Sequence, residues 1–205
     1  MKPYQQWYAF EGPGLNSVEV QKYGTRADVT YVKSCHPARP CEIPDTSDYI
    51  RDQLFILPQK ENNVWHSARL EGKEAYACED GKQMIMAAHL RGGTGSQEEQ
   101  AGVWPAFWAL GESLRKDVPG FPKTEWPACG EWDIFETTDG FDWAIANVYY
   151  GKTPAEKEAP ASGSKRNFNS KEFNTWEIRI DRRNSNWREQ EIVCMYASRN
   201  AMIIV

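Results

Sequence analysis

The chain has 205 residues and a formal net charge of −5, and 40% of its residues are hydrophobic. This length suits one domain of ordinary size with a full hydrophobic core. The acidic balance argues against a nucleic-acid partner, which requires a basic face, and no apolar run approaches the roughly 18 residues of a membrane span.

Short β-favouring runs separated by turn residues account for most of the chain, and no long run has helical periodicity. In chain order, strands are predicted at 28–33, 53–57, 67–75, 83–90, 102–110, 131–137, 143–150 and 176–180. Two polar stretches, 91–100 and 152–169, are predicted as surface loops. Many short strands without helices indicate an all-β fold, in which two antiparallel sheets share a core.

Nine tryptophans and nine tyrosines are the strongest compositional signal. Aromatic rings dominate the burial energy of any core, but their flat apolar faces also stack on sugars. We expect most of the rings to lie in the core and a minority in a cleft. The cysteines and histidines are scattered without CxxC pairs, so no metal site is predicted. Cys35 and Cys41 either close a small disulfide loop or remain free thiols.

Three acids lie within one apolar run that reads Glu-Trp-Asp-Ile-Phe-Glu. In a regular strand Glu131 and Asp133 share a face and Glu136 points away. A β-bulge at 134–135 would return Glu136 to the face of the other two carboxylates. A solvated edge strand with a charged face would have the same spacing, so the run alone leaves both interpretations open.

Two neighbouring segments together resemble a known family. The chain reads GVWPAFWALG at 102–111 and GEWDIFE at 130–136. These segments resemble glycoside hydrolase family 16, in particular its fungal endo-β-1,3(4)-glucanase or laminarinase-like members. The resemblance extends from about residue 14 to about residue 190 of one catalytic domain at 1–205. It implies a concanavalin-like β-jelly roll, a sandwich of two antiparallel sheets with a concave substrate cleft.

The resemblance implies a role for each acid. Glu131 is the nucleophile of a retaining double displacement, and Glu136 is the acid/base that first protonates the leaving oxygen. Such chemistry requires two carboxyl groups about 5–5.5 Å apart. Asp133 lies between them, hydrogen-bonds the nucleophile and helps to hold the pKa of the acid high, because close like charges cannot all ionise freely. This chemistry requires no metal or organic cofactor, and none is expected.

The resemblance also implies substrate-binding side chains. Trp126 and Trp108 match positions that line the cleft, and core packing is the alternative for both rings. Arg69 and Asn16 match positions that often bond sugar hydroxyls, although structural roles are nearly as well supported. Tyr149 stands where family members usually have a histidine. A phenol can donate a hydrogen bond, but it carries no charge near neutral pH as an imidazole does.

Both ends of the chain depart from the family pattern. Residues 193–205 match nothing expected in the family, so the C-terminal strands of the jelly roll are expected to be missing. Such a loss would leave an exposed sheet edge. The N-terminal residues have no apolar segment of a secretory signal, although the resemblance implies secretion. The location of the protein therefore stays open.

Three classes of function follow from the sequence. The first is an endo-acting retaining hydrolase, a monomer without a membrane partner, that cuts internal β-1,3 or mixed β-1,3/1,4 bonds of β-glucan polysaccharides or oligosaccharides. Water and a second sugar are both open as the acceptor. The second is a carbohydrate-binding β-sandwich without turnover, either a degenerate relative or a truncated fragment. The third is an interaction domain in which the acids are only surface charge.

Overall fold

The structure is a computed structural model, which describes residues 7–9, 12–13, 29–31, 59–61, 64–67, 70–72, 75–93, 95–118, 122–153, 164–184, 186, 193–198 and 201–202. The chain divides into two compact units, Met1–Tyr76 and Ala77–Val205. Within the described residues, no helix has the length and apolarity that crossing a membrane requires. The assignment of 1–205 to a single domain stays a prediction.

Short strands make up the described part of the first unit. They are β1 (Trp7–Ala9), β2 (Gly12–Pro13), β3 (Val29–Tyr31), β4 (Gln59–Glu61), β5 (Val64–Ser67) and β6 (Leu70–Gly72). Strands β1 and β6 pair with each other, and the other strands form a sheet in the order β2-β3-β5-β4, with β3 parallel to β5. The strands predicted at 28–33 and 67–75 are confirmed by β3 and β6, whereas 53–57 lies outside the described residues.

Two antiparallel sheets, each with four described strands, form the second unit. The first sheet has the order β11-β10-β9-β8 and contains β8 (Ala106–Leu110), β9 (Glu131–Glu136), β10 (Trp143–Tyr149) and β11 (Ser164–Asn167). The second sheet has the order β14-β13-β12-β7 and contains β7 (Gln83–Leu90), β12 (Asn174–Asp181), β13 (Val193–Ser198) and β14 (Ala201–Met202). A short 3₁₀ helix follows β8 at Glu112–Leu114. The remaining strand predictions are confirmed, and that for β7 matches both of its ends.

One hydrophobic core joins the two sheets of the second unit. Its buried members are Ile134, Phe135, Ala144, Ala146, Phe168, Trp176 and Ile178. Three of the rings, Phe135, Phe168 and Trp176, have centroids 4.7, 5.4 and 5.6 Å apart. Each such pair contributes about 0.5–1.5 kcal/mol beyond the burial of its area. Because β9 and β10 contribute from one sheet and β12 from the other, the sheets pack face to face, as the strand pattern predicted.

Two segments of the second unit form strands that the sequence did not predict. The loop predicted at 152–169 is wrong at its end, where β11 pairs with β10 from Ala146↔Ser164 to Trp143↔Asn167. The Ser-Lys-Arg-Asn sequence of β11 has weak strand propensity, so pairing with a neighbour overrides the local preference. The tail at 193–205, for which no family strand was expected, contains β13 and β14, and β13 pairs with β12.

Candidate active site

The strand that carries the three acids contains the predicted bulge. Opposite β8, Phe107 pairs with Phe135 and Trp108 pairs with Asp133, so Ile134 has no register partner between them. The register between β9 and β10 shifts at the same place. One extra residue on β9 therefore breaks the alternation of side chains between the acids.

The register also shows which face the acids share. On β10, Ala144 and Ala146 are 1% and 9% exposed and belong to the core, so the alternate residues of that strand face away from it. The register partners of Glu131, Asp133 and Glu136 are three of those alternate residues: Tyr149, Asn147 and Ile145. Residues paired in this way lie on the same face of a sheet. The bulge thus places all three carboxylates on one face, opposite the core.

Asp133, the middle acid, is 1% exposed. Within the described residues, neither of its carboxylate oxygens has a hydrogen-bond partner of ordinary geometry. Burial, followed by the negative charges of Glu136 and Glu131, raises the pKa of Asp133 to about 10. Asp133 is therefore a neutral carboxylic acid at pH 7, and it adds no third negative charge between two glutamates.

Each outer acid accepts a hydrogen bond from the indole of a different tryptophan. The Nε1 of Trp126 donates to Oε2 of Glu131. The Nε1 of Trp104 donates to Oε1 of Glu136 over 3.1 Å. A carboxyl oxygen accepts from an indole N–H whether or not the group is ionised, so each indole holds its carboxyl group in one orientation. Sequence reasoning matched Trp126 to positions that line the cleft but missed Trp104, because only the folded chain brings Trp104 to Glu136.

Tyr149 lies beside Glu131, as its register partner on β10. Its ring centroid is 6.0 Å from that of Trp126, and the two planes are tilted by 54°. The side-chain amide of Asn147 donates to the phenolic oxygen of Tyr149 over 3.4 Å. Asn147 is a second residue of the site that sequence reasoning missed, because only the pairing of β10 with β9 places it opposite Asp133.

The structure brings together most of the residues that the sequence analysis singled out. Trp108 is half-buried and is the register partner of Asp133 on β8, so it lies on the acid face. Asn16 and Arg69 lie outside the described residues. In the part of the chain that the structure describes, no group of three or more His, Cys, Asp or Glu side chains could hold a metal ion.

Comparison with solved structures gives the class of fold. An endo-1,3-β-glucanase from Streptomyces sioyaensis matches 98% of this chain and 68% of its own, with a TM-score of 0.65 and 20% identity. LamA from Zobellia galactanivorans, in complex with laminaritriose and laminaritetraose, matches 98% of this chain and 73% of its own, with a TM-score of 0.59 and 18% identity. A mixed-linkage-glucan family 16 protein from Bacteroides ovatus, in complex with a product, has a TM-score of 0.58 and 20% identity over 97% of this chain and 72% of its own.

The chain therefore has the β-jelly-roll fold of these structures. No family model and no curated protein sequence matches the chain.

Proposed function

We propose that the chain belongs to glycoside hydrolase family 16 and is an endo-acting, retaining β-glucanase that works as a monomer. The observation that carries the proposal is the shared face of Glu131 and Glu136, with a neutral, buried Asp133 between them. A charged edge strand would leave its acids in water. Here the middle acid is buried, and the outer two are each held by an indole.

Each glutamate has a separate task in the proposed mechanism. Glu131 attacks the anomeric carbon as the carboxylate and forms a glycosyl-enzyme ester, while Glu136, in the state that carries a proton, donates that proton to the leaving oxygen. Glu136 then removes a proton from the incoming water, which hydrolyses the ester. Because Trp126 holds Oε2 of Glu131, we assign the attack to Oε1.

Asp133 serves this mechanism as an uncharged neighbour. At pH 7 it keeps its proton, so it is able to donate a hydrogen bond to the carboxylate of Glu131 once the two side chains approach each other. A third ionised carboxylate at this position would place another negative charge between the two glutamates. Because burial keeps Asp133 neutral, Asp133 adds no electrostatic repulsion beside Glu131, the acid that attacks.

The proposed substrate is a β-1,3 or mixed β-1,3/1,4 glucan. Support comes from the similar structures, which include an endo-1,3-β-glucanase and a complex with laminaritriose and laminaritetraose. On this chain, Trp108, Trp126 and Tyr149 are partly exposed rings beside the acids. Such rings suit the apolar faces of glucosyl units.

A carbohydrate-binding sandwich without turnover is the alternative. The observation in its favour is Tyr149, which replaces a histidine of the family pattern directly opposite Glu131. A phenol cannot supply a positive charge there near neutral pH. This alternative predicts retention of β-glucan without release of new reducing ends.

The test measures reducing-end release from β-1,3-glucan and mixed-linkage glucan by the full chain and by Glu131→Gln. Glu125→Gln is the matched control, because Glu125 is an exposed acid of the preceding turn. We expect release by the wild type and by the control, and none by Glu131→Gln. The first product should have the β-configuration by NMR, as retention requires. Binding without release by the wild type would support the alternative and overturn the hydrolase.

A further inference from the structure

An open depression lies at the start of β10, on the sheet that carries the acids. It has a volume of about 640 Å³, and its lining includes Phe141, Trp143 and Asn167. Trp143 is two residues before Ile145, the register partner of Glu136. At about 3.3 Å per residue, the ring begins roughly 7 Å along the strand from the level of Glu136.

The alternation of β10 places Trp143 on the acid face. Ala144 and Ala146 face the core, so Trp143 has the same orientation as the register partners of the three acids. Asn167 is the register partner of Trp143 on β11 and shares that face. The depression is therefore reached from the same side of the sheet as the carboxylates.

Two stacked rings, together with the buried ring of Phe168, form the apolar part of the depression. The centroids of Phe141 and Trp143 are 5.1 Å apart, with planes inclined by 18°. The hydroxyl of Thr137 donates to the backbone oxygen of Trp143 over 2.8 Å and to that of Phe141 over 3.2 Å. Thr137 is buried and directly follows Glu136, so these hydrogen bonds fix the backbone of Phe141 and Trp143 next to the end of β9.

Polar side chains surround these rings. The Oδ1 of Asp142 accepts a hydrogen bond from Ser170, and the Oδ1 of Asn169 accepts one from the backbone of Lys171. We assign Oδ2 of Asp142 as an acceptor, and the amide nitrogens of Asn169 and Asn167 as donors, to hydroxyl groups of a ligand. None of the described residues that line the depression is cationic, which disfavours an anionic ligand.

We propose that this depression binds glucosyl units of the polymer beyond those held at the acids, with a sugar face on the stacked rings and hydroxyls on the surrounding amides. The inference rests on the proposed function, because the β-glucan proposed there as substrate is the ligand proposed here. The chemistry of the lining independently favours a hydroxyl-rich molecule with an apolar face. A polysaccharide chain has both properties.

The test measures retention by affinity electrophoresis in gels that contain β-1,3-glucan or mixed-linkage glucan. Every protein carries Glu131→Gln, so that the polymer stays intact. We expect Trp143→Ala to raise the apparent Kd about 5- to 10-fold, the scale of one lost aromatic stacking interaction. Asn169→Ala, at an exposed position, should raise it about 3-fold, as for one hydrogen bond. Phe173→Ala is the matched control, because Phe173 is a 39% exposed ring that packs on His89.

A second measurement compares polymer with tetrasaccharide in the active chain. If the depression binds distant units, the ratio of kcat/KM for polymer to that for laminaritetraose should fall in Trp143→Ala and in Asn169→Ala. Unchanged retention in both variants would overturn the proposal, as would an equal loss in Phe173→Ala. If the wild type cuts neither glucan, the hydrolase fails, whereas retention that depends on Trp143 would still support the binding site.

Discussion

Replacing Asp133 with asparagine is expected to stabilise the folded chain at neutral and alkaline pH. The pKa of this carboxyl rises from its ordinary 3.8 to about 10, first through burial and then through the charges of Glu136 and Glu131. Between these two values the unfolded chain has released the proton and the folded chain has kept it. The folded state therefore binds more protons, and its stability falls as the pH rises through this window.

The magnitude follows from the width of the window. Each pH unit corresponds to about 1.36 kcal/mol, so at pH 7 the penalty reaches at most about 4 kcal/mol. Asparagine has nearly the same shape and carries no charge at any pH, so Asp133→Asn removes the whole of this pH-dependent cost. We expect the variant to be more stable than the wild type at pH 7, still more so at pH 9, and indistinguishable near pH 4.

The assay is urea unfolding of both proteins at pH 4, 5, 7 and 9, with Asp117→Asn as the control. Asp117 is an exposed acid of the same unit, so this control separates the effect of burial from the loss of one acidic side chain. Equal pH slopes in Asp133→Asn and the wild type would refute the argument, because a neutral buried acid must produce a difference. If Asp133→Asn is more stable but releases less glucan, Asp133 contributes to activity although it lowers the stability of the fold.

Three further predictions concern the glutamates and the core. Trp126→Phe keeps a ring but removes the indole donor to Glu131, so kcat should fall about 10-fold, the scale of one hydrogen bond to a charged group, with little change in KM. Glu136→Ala should lower kcat on polymer by about 10²–10⁴-fold, and on an aryl glucoside with an acidic leaving group by much less, because that group departs without a proton. Equal losses on the two substrates would contradict its role as the acid. Phe135→Ala should lower the free energy of unfolding by about 3–5 kcal/mol, since its 1% exposed ring fills the core, whereas Phe173→Ala should cost far less.

Local sequence rules predicted the features of the site that depend on a single strand. The spacing of Glu131, Asp133 and Glu136 conflicts with strand alternation, and a bulge resolves that conflict. The structure has the bulge at that place. The bounds of β7 followed from an apolar run between turn residues, which is also a local signal.

Other features depend on pairing between segments that are distant in the sequence, so local rules did not predict them. The polar residues of β11 have weak strand propensity, and they form a strand because β10 supplies their hydrogen-bond partners. Trp104 is 32 positions from Glu136, and the two meet because β8 lies beside β9. Asn147 faces Asp133 for the same reason, through β10.

The sequence by itself thus determined the all-β class, the order of the main strands and the acids that share one face. The tertiary structure decided the protonation of Asp133 and which indole contacts each glutamate. The proton on Asp133 illustrates the reason. The largest cause of its raised pKa is desolvation, and Asp133 is desolvated only when the strand that carries it is packed between β8 and β10.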